Sequence, residues 1–170
     1  MANTYKLIEA QTLTSTASSV TFSSIPGLYT DLLLKLSVRD SRTGISVSDI
    51  RFNFNGTGVG TNISGKYIYG NGSSASSTTL TSGELAFGDA NGASASTFGN
   101  AEIYIPNYTG SNYKSISSDS AAENNATAGY NLLVAGYWSS TSAITSIAMT
   151  PFTSPFLSSS SFYLYGISNS

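Results

Sequence analysis

The sequence predicts an all-β fold, an antiparallel β-sandwich of the jelly-roll type with about nine to eleven strands. Short segments alternate apolar and polar residues at a period of two, which places one face of each strand in a core. The pair Asn-Gly occurs three times, at residues 55–56, 71–72 and 91–92, and it tolerates the positive φ angles of tight hairpins. Ser, Thr, Asn and Gly form nearly half of the 170 residues, which suits polar outer faces and loops. The length predicts a single domain over residues 1–170.

The strands are predicted from these alternations in chain order. They cover residues 5–10, 19–25, 31–39, 50–55, 101–105, 130–138, 144–150 and 161–167, and the first and last are expected to lie side by side. Residues 72–99 are predicted to form surface loops that flank one short strand. The apolar members of the alternations form the predicted core: Leu32, Leu34, Leu36, Phe52, Phe54, Ile103, Ile105, Leu132, Val134, Ile147 and Leu164.

Composition argues against an enzyme. The chain has neither His nor Cys, which excludes Ser–His and Cys–His catalysis, thiol chemistry and His or Cys metal sites. We therefore predict no catalytic residue, no cofactor and no metal. Charged residues are only 9% and the net charge is −2, so no nucleic-acid partner is expected. The sequence has no run of about 18 apolar residues, so we predict no membrane span.

Basic residues cluster once in the chain. Lys35, Arg39, Arg42 and Arg51 fall within 17 residues, beside three aspartates. Because the two signs are mixed, we interpret this cluster as a solvated rim of salt bridges rather than a phosphate site.

Three sequence motifs are weak candidates for a site that carries chemistry. Residues 60–66 have the glycine and lysine spacing of a phosphate-binding loop, but Tyr67 follows where such a loop needs Ser or Thr and a helix. The close carboxylate pairs are Asp119 with Glu123 and Glu84 with Asp89, and spacing alone does not make them a glycoside hydrolase pair. Calcium is a weak alternative: its candidate ligands are Asp119, Glu123, Asn124 and Asn125.

Aromatic side chains are candidates for contact with a glycan or a protein partner, because rings stack on sugar faces and pack at interfaces. The alternative is that most of them pack in the core. The candidates are Tyr104, Tyr108, Tyr113, Tyr137 and Trp138.

The C-terminal part of the chain suggests a surface made for neighbouring subunits. From residue 124 to residue 170 no side chain is charged, although charge keeps solvated surfaces apart. Within it, the loop at residues 151–160 carries apolar groups, and with residues 1–4 it is the predicted subunit contact. The contact candidates are Pro151, Phe152, Pro155, Phe156 and Leu157.

Several stretches resemble small structural proteins of tailed bacteriophages, chiefly phages of aquatic bacteria. They are YKLIE at residues 5–9, VTFSSIPGLYTDLLL at 20–34, EIYIPNY at 102–108, YKS at 113–115, the run from Asp119 through ENNAT at 123–127, ITSIAMTP at 144–151 and LYGI at 164–167. The resemblance spans nearly the whole chain, and it implies a jelly-roll module of the sort used in capsid decoration (cement) proteins and fibre tips. It brings no catalytic residues with it.

The resemblance implies a non-enzymatic virion protein. The first expectation is an oligomeric capsid decoration protein, a homotrimer, that stabilises contacts between major capsid subunits. The alternative is a tail-fibre or head-fibre tip that binds host-surface glycan. In either case we expect location in the virion after synthesis in the host cytoplasm, because the first residues, MANTYK, lack the pattern of a signal peptide.

Overall fold

The computed structural model describes residues 4–123 and 129–168, and within them it consists of strands and loops without a helix. The twelve strands are β1 (Tyr5–Thr12), β2 (Val20–Phe22), β3 (Asp31–Val38), β4 (Val47–Phe54), β5 (Ile63–Gly70), β6 (Ala75–Thr79), β7 (Glu84–Asp89), β8 (Gly99–Pro106), β9 (Lys114–Glu123), β10 (Gly129–Trp138), β11 (Ile147–Pro151) and β12 (Ser161–Ile167).

The strands form two antiparallel sheets. The large sheet has the order β1-β12-β3-β8-β9-β10-β5-β6, and the small sheet has the order β2-β11-β4-β7. From β2 to β12 the chain passes back and forth between the sheets, which is the path of a jelly roll. The simplest jelly roll has eight strands, and the three-stranded meander β8-β9-β10 occupies the place of one of them. The predicted fold class is therefore confirmed, and β1 pairs with β12 as predicted.

The core lies between the two sheets and contains every core residue predicted from the alternation. At one end Phe54 packs against Trp138, with ring centroids 5.5 Å apart. At another Phe156 packs edge-on against Phe162 at 5.0 Å. Fully burying one such side chain contributes roughly 1.5–3 kcal/mol to stability, so the alternating strands account for the sandwich.

The strand count corrects the prediction of nine to eleven. Strands β5 and β9 were not among the predicted strands, and residues 72–99 contain two strands, β6 and β7, where one was predicted. All residues of β6 are exposed, whereas all residues of β7 are buried. Neither strand alternates in burial, so the period of two that identifies half-buried strands gave no signal for them.

The free edge of β7 is closed by serine side chains from β9. The backbone N–H of Phe87 donates to Ser120 Oγ at 3.0 Å, and the Ser118 hydroxyl donates to the carbonyl of Leu85. Both serines belong to the buried face of β9. An edge strand normally leaves its backbone groups unpaired, so these two residues connect the large sheet to the edge of the small one.

Of the three Asn-Gly pairs, the one at residues 71–72 connects two paired strands, β5 and β6, as a hairpin. The pair at residues 55–56 forms a tight turn between β4 and β5, which belong to different sheets. Asn55 and Gly56 have φ angles of 55° and 69°, which is the left-handed region that such turns require. The Asn55 side chain also donates to the Ala143 carbonyl at 2.7 Å and accepts from the backbone N–H of Thr145 at 2.8 Å. The turn after β4 is thereby fixed to the loop before β11.

Candidate binding surfaces

A row of apolar and aromatic side chains crosses the outer face of the large sheet. Leu7 pairs with Tyr165, Tyr165 with Leu33, and Leu33 with Tyr104. The neighbours of these residues along β3, β8 and β12 point into the core, so the row itself lies on the opposite side. We call Leu7, Tyr165, Leu33 and Tyr104 the tyrosine row.

The tyrosine row is partly open to solvent. Leu7 is 49% exposed, and Tyr5, next to it on the same side of β1, is 57% exposed. Leu33 is only 6% exposed despite its outward position, because ring neighbours flank it on both adjacent strands. A groove of about 270 Å³ runs along this part of the face, between Tyr5 and Tyr165. The outer face thus carries its own small apolar cluster.

Two polar contacts organise the tyrosine row. Lys35 and Glu102 form an ion pair of 2.7 Å beside Leu33, with about half of each side chain exposed. The Tyr104 hydroxyl donates to Asp31 Oδ2 at 2.9 Å, and this hydrogen bond raises the pKa of the phenol. Tyr104 was a predicted contact residue, and its ring is half-buried on this face with a fixed orientation.

Two other predicted contact residues form an exposed pair. Tyr113 and Tyr137 are 62% and 44% exposed. Their rings are nearly parallel, at an interplanar angle of 8° and a centroid distance of 6.5 Å. Tyr137 belongs to β10 and Tyr113 directly precedes β9, so the pair marks one end of the large sheet.

Tyr108 and Trp138 correct the prediction of contact residues. Each is only 1% exposed, so neither ring faces a partner. The Tyr108 hydroxyl donates to the Pro26 carbonyl, and burial raises the pKa of this phenol. Trp138 packs in the core against Phe54, and the Lys114 ammonium lies 5.8 Å from its ring centroid.

Lys114 is a buried cation beneath the exposed tyrosine pair. Its ammonium donates to the carbonyls of Gly110 at 2.6 Å and Asn112 at 2.8 Å, and to that of Ser140 at 3.3 Å. Burial lowers the pKa of Lys114. The three acceptors belong to the two loops that flank the pair, so Lys114 holds both loops together.

The loop at residues 151–160 only partly fits the predicted subunit contact. Pro151 is buried where β11 pairs with β4, and Phe156 is buried against Phe162, so these two residues are structural. Phe152 is 37% exposed and Pro155 is exposed, while Leu157 is half-buried. Residues 1–3 of the predicted N-terminal contact lie outside the described residues.

Phe152 is held between two arginines. The guanidinium carbons of Arg42 and Arg51 lie 5.1 and 4.9 Å from the centre of its ring, and Arg51 Nη2 donates to the Phe152 carbonyl at 2.7 Å. Arg39, by contrast, is 5% exposed and donates to the carbonyls of Ser94 and Thr97 at 2.7 and 2.9 Å. The predicted solvated rim is therefore wrong for Arg39, which supports the loop after β7 from inside.

The residues of the phosphate-loop-like motif and Glu84 of the carboxylate pairs make local contacts. After residues 60–62 the chain enters strand β5, and Lys66 donates to Thr79 Oγ1 at 3.0 Å across the hairpin. The Glu84 carboxylate accepts from the backbone N–H of Ser82 at 3.0 Å in its own turn.

Asp119 and Glu123 lie four residues apart on one strand, which separates them by about 13 Å, and Glu123 accepts from the Ser94 backbone N–H at 2.7 Å. Asn124 and Asn125 lie outside the described residues. In the part of the chain that the structure describes, no group of three or more acidic side chains is placed to hold a metal ion.

The tyrosine row was missed in the sequence except for Tyr104. The sequence did contain a signal, namely apolar residues on both faces of a strand. Leu33 lies between Leu32 and Leu34, and the rings of Tyr163 and Tyr165 alternate with core residues of β12. These strands are apolar on both faces, which is typical of a strand covered on both sides.

Comparison with known proteins adds no relative: the chain matches no family model, no curated protein and no solved structure. Over residues 4–123 and 129–168, no helix is long and apolar enough to cross a membrane. The function therefore has to be argued from the fold and its surfaces.

Proposed function

We propose that this protein is a non-enzymatic structural subunit of a bacteriophage virion, a capsid decoration protein that binds its neighbours through the outer face of the large sheet. The observation that carries the proposal is the tyrosine row, an apolar strip that crosses four strands and ends in Leu7, which is half exposed. Contiguous exposed apolar surface of this kind marks interaction sites. The sequence resemblance to phage structural proteins supports the same assignment.

The contact is expected to involve the face rather than the edge strand β1. Edge strands pair readily with another chain unless charge or a bulge prevents it. Lys6 and Glu9 put charges along β1, and its pairing with β12 has an irregularity between Leu7 and Glu9. Side chains on the face, with the Lys35–Glu102 pair setting orientation, are therefore the better means of attachment.

The proposed partners are copies of this chain, as a homotrimer, and the major capsid protein. Specific interfaces bury roughly 1,200–2,000 Å² in total. Repeated over a shell, such contacts would resist separation of the capsid subunits without any chemistry.

Occupancy of the virion tests this proposal. We expect many copies of the wild-type chain per particle by quantitative mass spectrometry, and at least a tenfold lower occupancy for Tyr165→Asp, since a carboxylate in an apolar contact costs several kcal/mol. The matched control is Thr150→Asp on the outer face of the small sheet, which should bind like the wild type. A few copies per particle, or equal occupancy of both variants, would overturn the decoration role.

A second candidate function, a fibre tip that binds host glycan, is favoured by one observation. Tyr113 and Tyr137 present two nearly parallel, exposed rings, and aromatic faces stack on sugars. If this function is correct, Tyr113→Ala and Tyr137→Ala reduce phage adsorption while the copy number stays low. Unchanged adsorption in both variants would argue against it.

A further inference from the structure

A cleft separate from the tyrosine row opens between the small sheet and strands β5 and β10. Its volume is about 450 Å³, and its walls include Asp49, Tyr69, Phe87 and Tyr130. Asp49 of β4 pairs directly with Phe87 of β7. The ring of Tyr69 on β5 meets Phe87 edge-on, at a centroid distance of 6.5 Å and an interplanar angle of 68°.

The walls of the cleft combine aromatic rings with one negative charge. Asp49 is the charged residue among the side chains that line it, and the others are aromatic, aliphatic or small. Aromatic faces carry negative electrostatic potential, so rings and carboxylate attract the same kind of ligand, a cation. An anion would meet repulsion from the Asp49 carboxylate and from the faces of the rings.

The nearby charged groups leave the Asp49 carboxylate open to such a ligand. Arg42 and Arg51 act on Asp49 at a distance, but both guanidinium groups stand over the Phe152 ring. Glu84 adds a further negative charge and is itself engaged in its own turn. Among the residues that the structure describes, Asp49 takes part in no ion pair.

We propose that this cleft binds an organic cation of the alkylammonium class, with the Asp49 carboxylate as counter-charge and the rings of Tyr69, Phe87 and Tyr130 around the methyl or methylene groups. A volume of about 450 Å³ accommodates a group of the size of choline or the end of a lysine side chain. Burial raises the pKa of Asp49, so binding weakens as the carboxylate becomes protonated at acid pH.

A pair of ligands of equal shape tests the charge requirement. Choline and 3,3-dimethylbutan-1-ol differ by a quaternary nitrogen in place of a carbon, and each is titrated into the purified protein by NMR. We expect choline to bind at least about tenfold more tightly, since a desolvated cation–π contact is worth about 2 kcal/mol and tenfold corresponds to 1.4 kcal/mol. Equal affinities, or no saturable shift at the cleft residues, would overturn the proposal.

Variants locate the site. Asp49→Asn should lower the choline affinity because the counter-charge is lost, while the rings still favour choline over the alcohol. Tyr130→Ser should weaken the binding of both ligands. Glu9→Gln, which changes an exposed carboxylate on β1, is the matched control and should bind choline like the wild type. Thermal melts confirm that each variant is folded before titration. If folded Asp49→Asn binds choline as tightly as the wild type, the assignment of the carboxylate is wrong.

A further titration distinguishes a free small cation from a partner's lysine. Nα-acetyl-lysine methylamide is compared with choline at pH 7. Tighter binding of the lysine derivative identifies a protein side chain as the occupant, and tighter binding of choline identifies a free quaternary amine. The measurement uses the isolated chain, so its outcome is independent of virion attachment.

Discussion

The two outer faces of the sandwich differ in chemistry although both belong to alternating antiparallel strands. On the small sheet the outward residues of β4 and β11 include Arg51, Asn53 and Thr150, all half-buried and polar. On the large sheet the outward residues at β1, β12, β3 and β8 form the tyrosine row. An antiparallel sheet needs only one apolar face to build a core, so the second apolar face of the large sheet is not required for the core, although its almost fully covered Leu33 adds stability.

This difference indicates the orientation of the molecule in an assembly. The polar face of the small sheet suits permanent contact with water, while the tyrosine row gains free energy when water is removed. Because the two faces differ in burial and polarity, a charged substitution should change the free energy of unfolding more on the tyrosine row than on the small sheet, even in the isolated chain.

The largest expected effect is that of a charge placed in the tyrosine row. Leu33→Asp should lower the free energy of unfolding by about 3 kcal/mol, because it removes an almost fully covered leucine and puts a carboxylate between two tyrosines. Urea denaturation measures the change.

The control for this variant lies on the other face. Thr150→Asp should cost no more than about 1 kcal/mol, because Thr150 is half-buried and gives up one long hydrogen bond to the Arg51 carbonyl. Leu33→Met keeps an apolar side chain in the tyrosine row and should lose less than about 1.5 kcal/mol. Equal losses for Leu33→Asp and Thr150→Asp would refute the difference between the faces.

The inner half of the fold could be predicted from the sequence and the outer half could not. The core positions from Leu32 to Leu164 followed from the period of two, which is clearest in strands such as β4, where Phe52 and Phe54 alternate with Arg51 and Asn53. The tyrosine row lies in strands where that alternation is interrupted, as at Leu33, and only the pairing of β1, β12, β3 and β8 brings its members together. That pairing joins residues far apart in the chain, which periodicity does not encode.

The second prediction concerns the boundary between the sheets, where β7 lies against β9. Ser120→Ala removes the acceptor of the Phe87 N–H, and a buried unpaired donor costs about 1–3 kcal/mol. We expect a loss of about 1–2 kcal/mol in thermal or urea unfolding. Ser117→Ala, on the exposed face of the same strand, is the matched control and should cost less than about 0.5 kcal/mol. If both serines matter equally, the hydrogen bond does not hold the edge of β7.

The third prediction concerns Asp49 of β4, a carboxylate whose ionised form is disfavoured by burial. Burial, and next the charge of Glu84, raises the pKa of Asp49 in the folded state above its value in the unfolded chain. The unfolded chain therefore loses this proton first as pH rises, so the folded state is favoured below the unfolded pKa and loses that advantage as pH rises through the folded pKa.

Replacing Asp49 by asparagine removes this dependence. Asp49→Asn should be more stable than the wild type at pH 7, and the gain should shrink as pH falls toward the unfolded pKa of aspartate. Melting temperatures at several pH values measure it, with Glu9→Gln as the exposed control. A constant difference between wild type and variant from pH 3.5 to pH 7 would contradict the assigned cause.

The candidate sites were harder to predict than the core because they depend on exposure. Four aromatic residues were predicted as contacts on the same grounds, yet two are exposed and two are buried. The exposed ones are Tyr113 and Tyr137, and the buried ones are Tyr108 and Trp138. Trp138 follows the core period of β10, in phase with Leu132 and Val134, and this was the signal that could have placed it in the core. Tyr108 lies in a loop, where no period applies, and its hydrogen bond to Pro26 joins distant parts of the chain.

The smallest expected effect is that of the Lys35–Glu102 pair in the centre of the outer face. Exposed pairs couple by about 0.2–1 kcal/mol and are screened by salt. The hydrogen bond to Glu102, followed by its charge, raises the pKa of Lys35, so the contribution of the lysine persists through neutral pH and is lost as the ammonium deprotonates above the usual lysine range. A double-mutant cycle with Lys35→Met and Glu102→Gln should give less than about 1 kcal/mol in the isolated chain, and less still at high salt.

The same cycle sharpens the comparison of the two faces when it is repeated on the assembled protein. A pair that becomes buried in a contact is no longer screened, and removing one partner then leaves an uncompensated charge, which costs about 3–5 kcal/mol. If the tyrosine row meets a neighbour, the single variants should therefore weaken attachment strongly while the double variant loses less. Coupling that stays small and salt-dependent in the assembly would mean that this face remains in water.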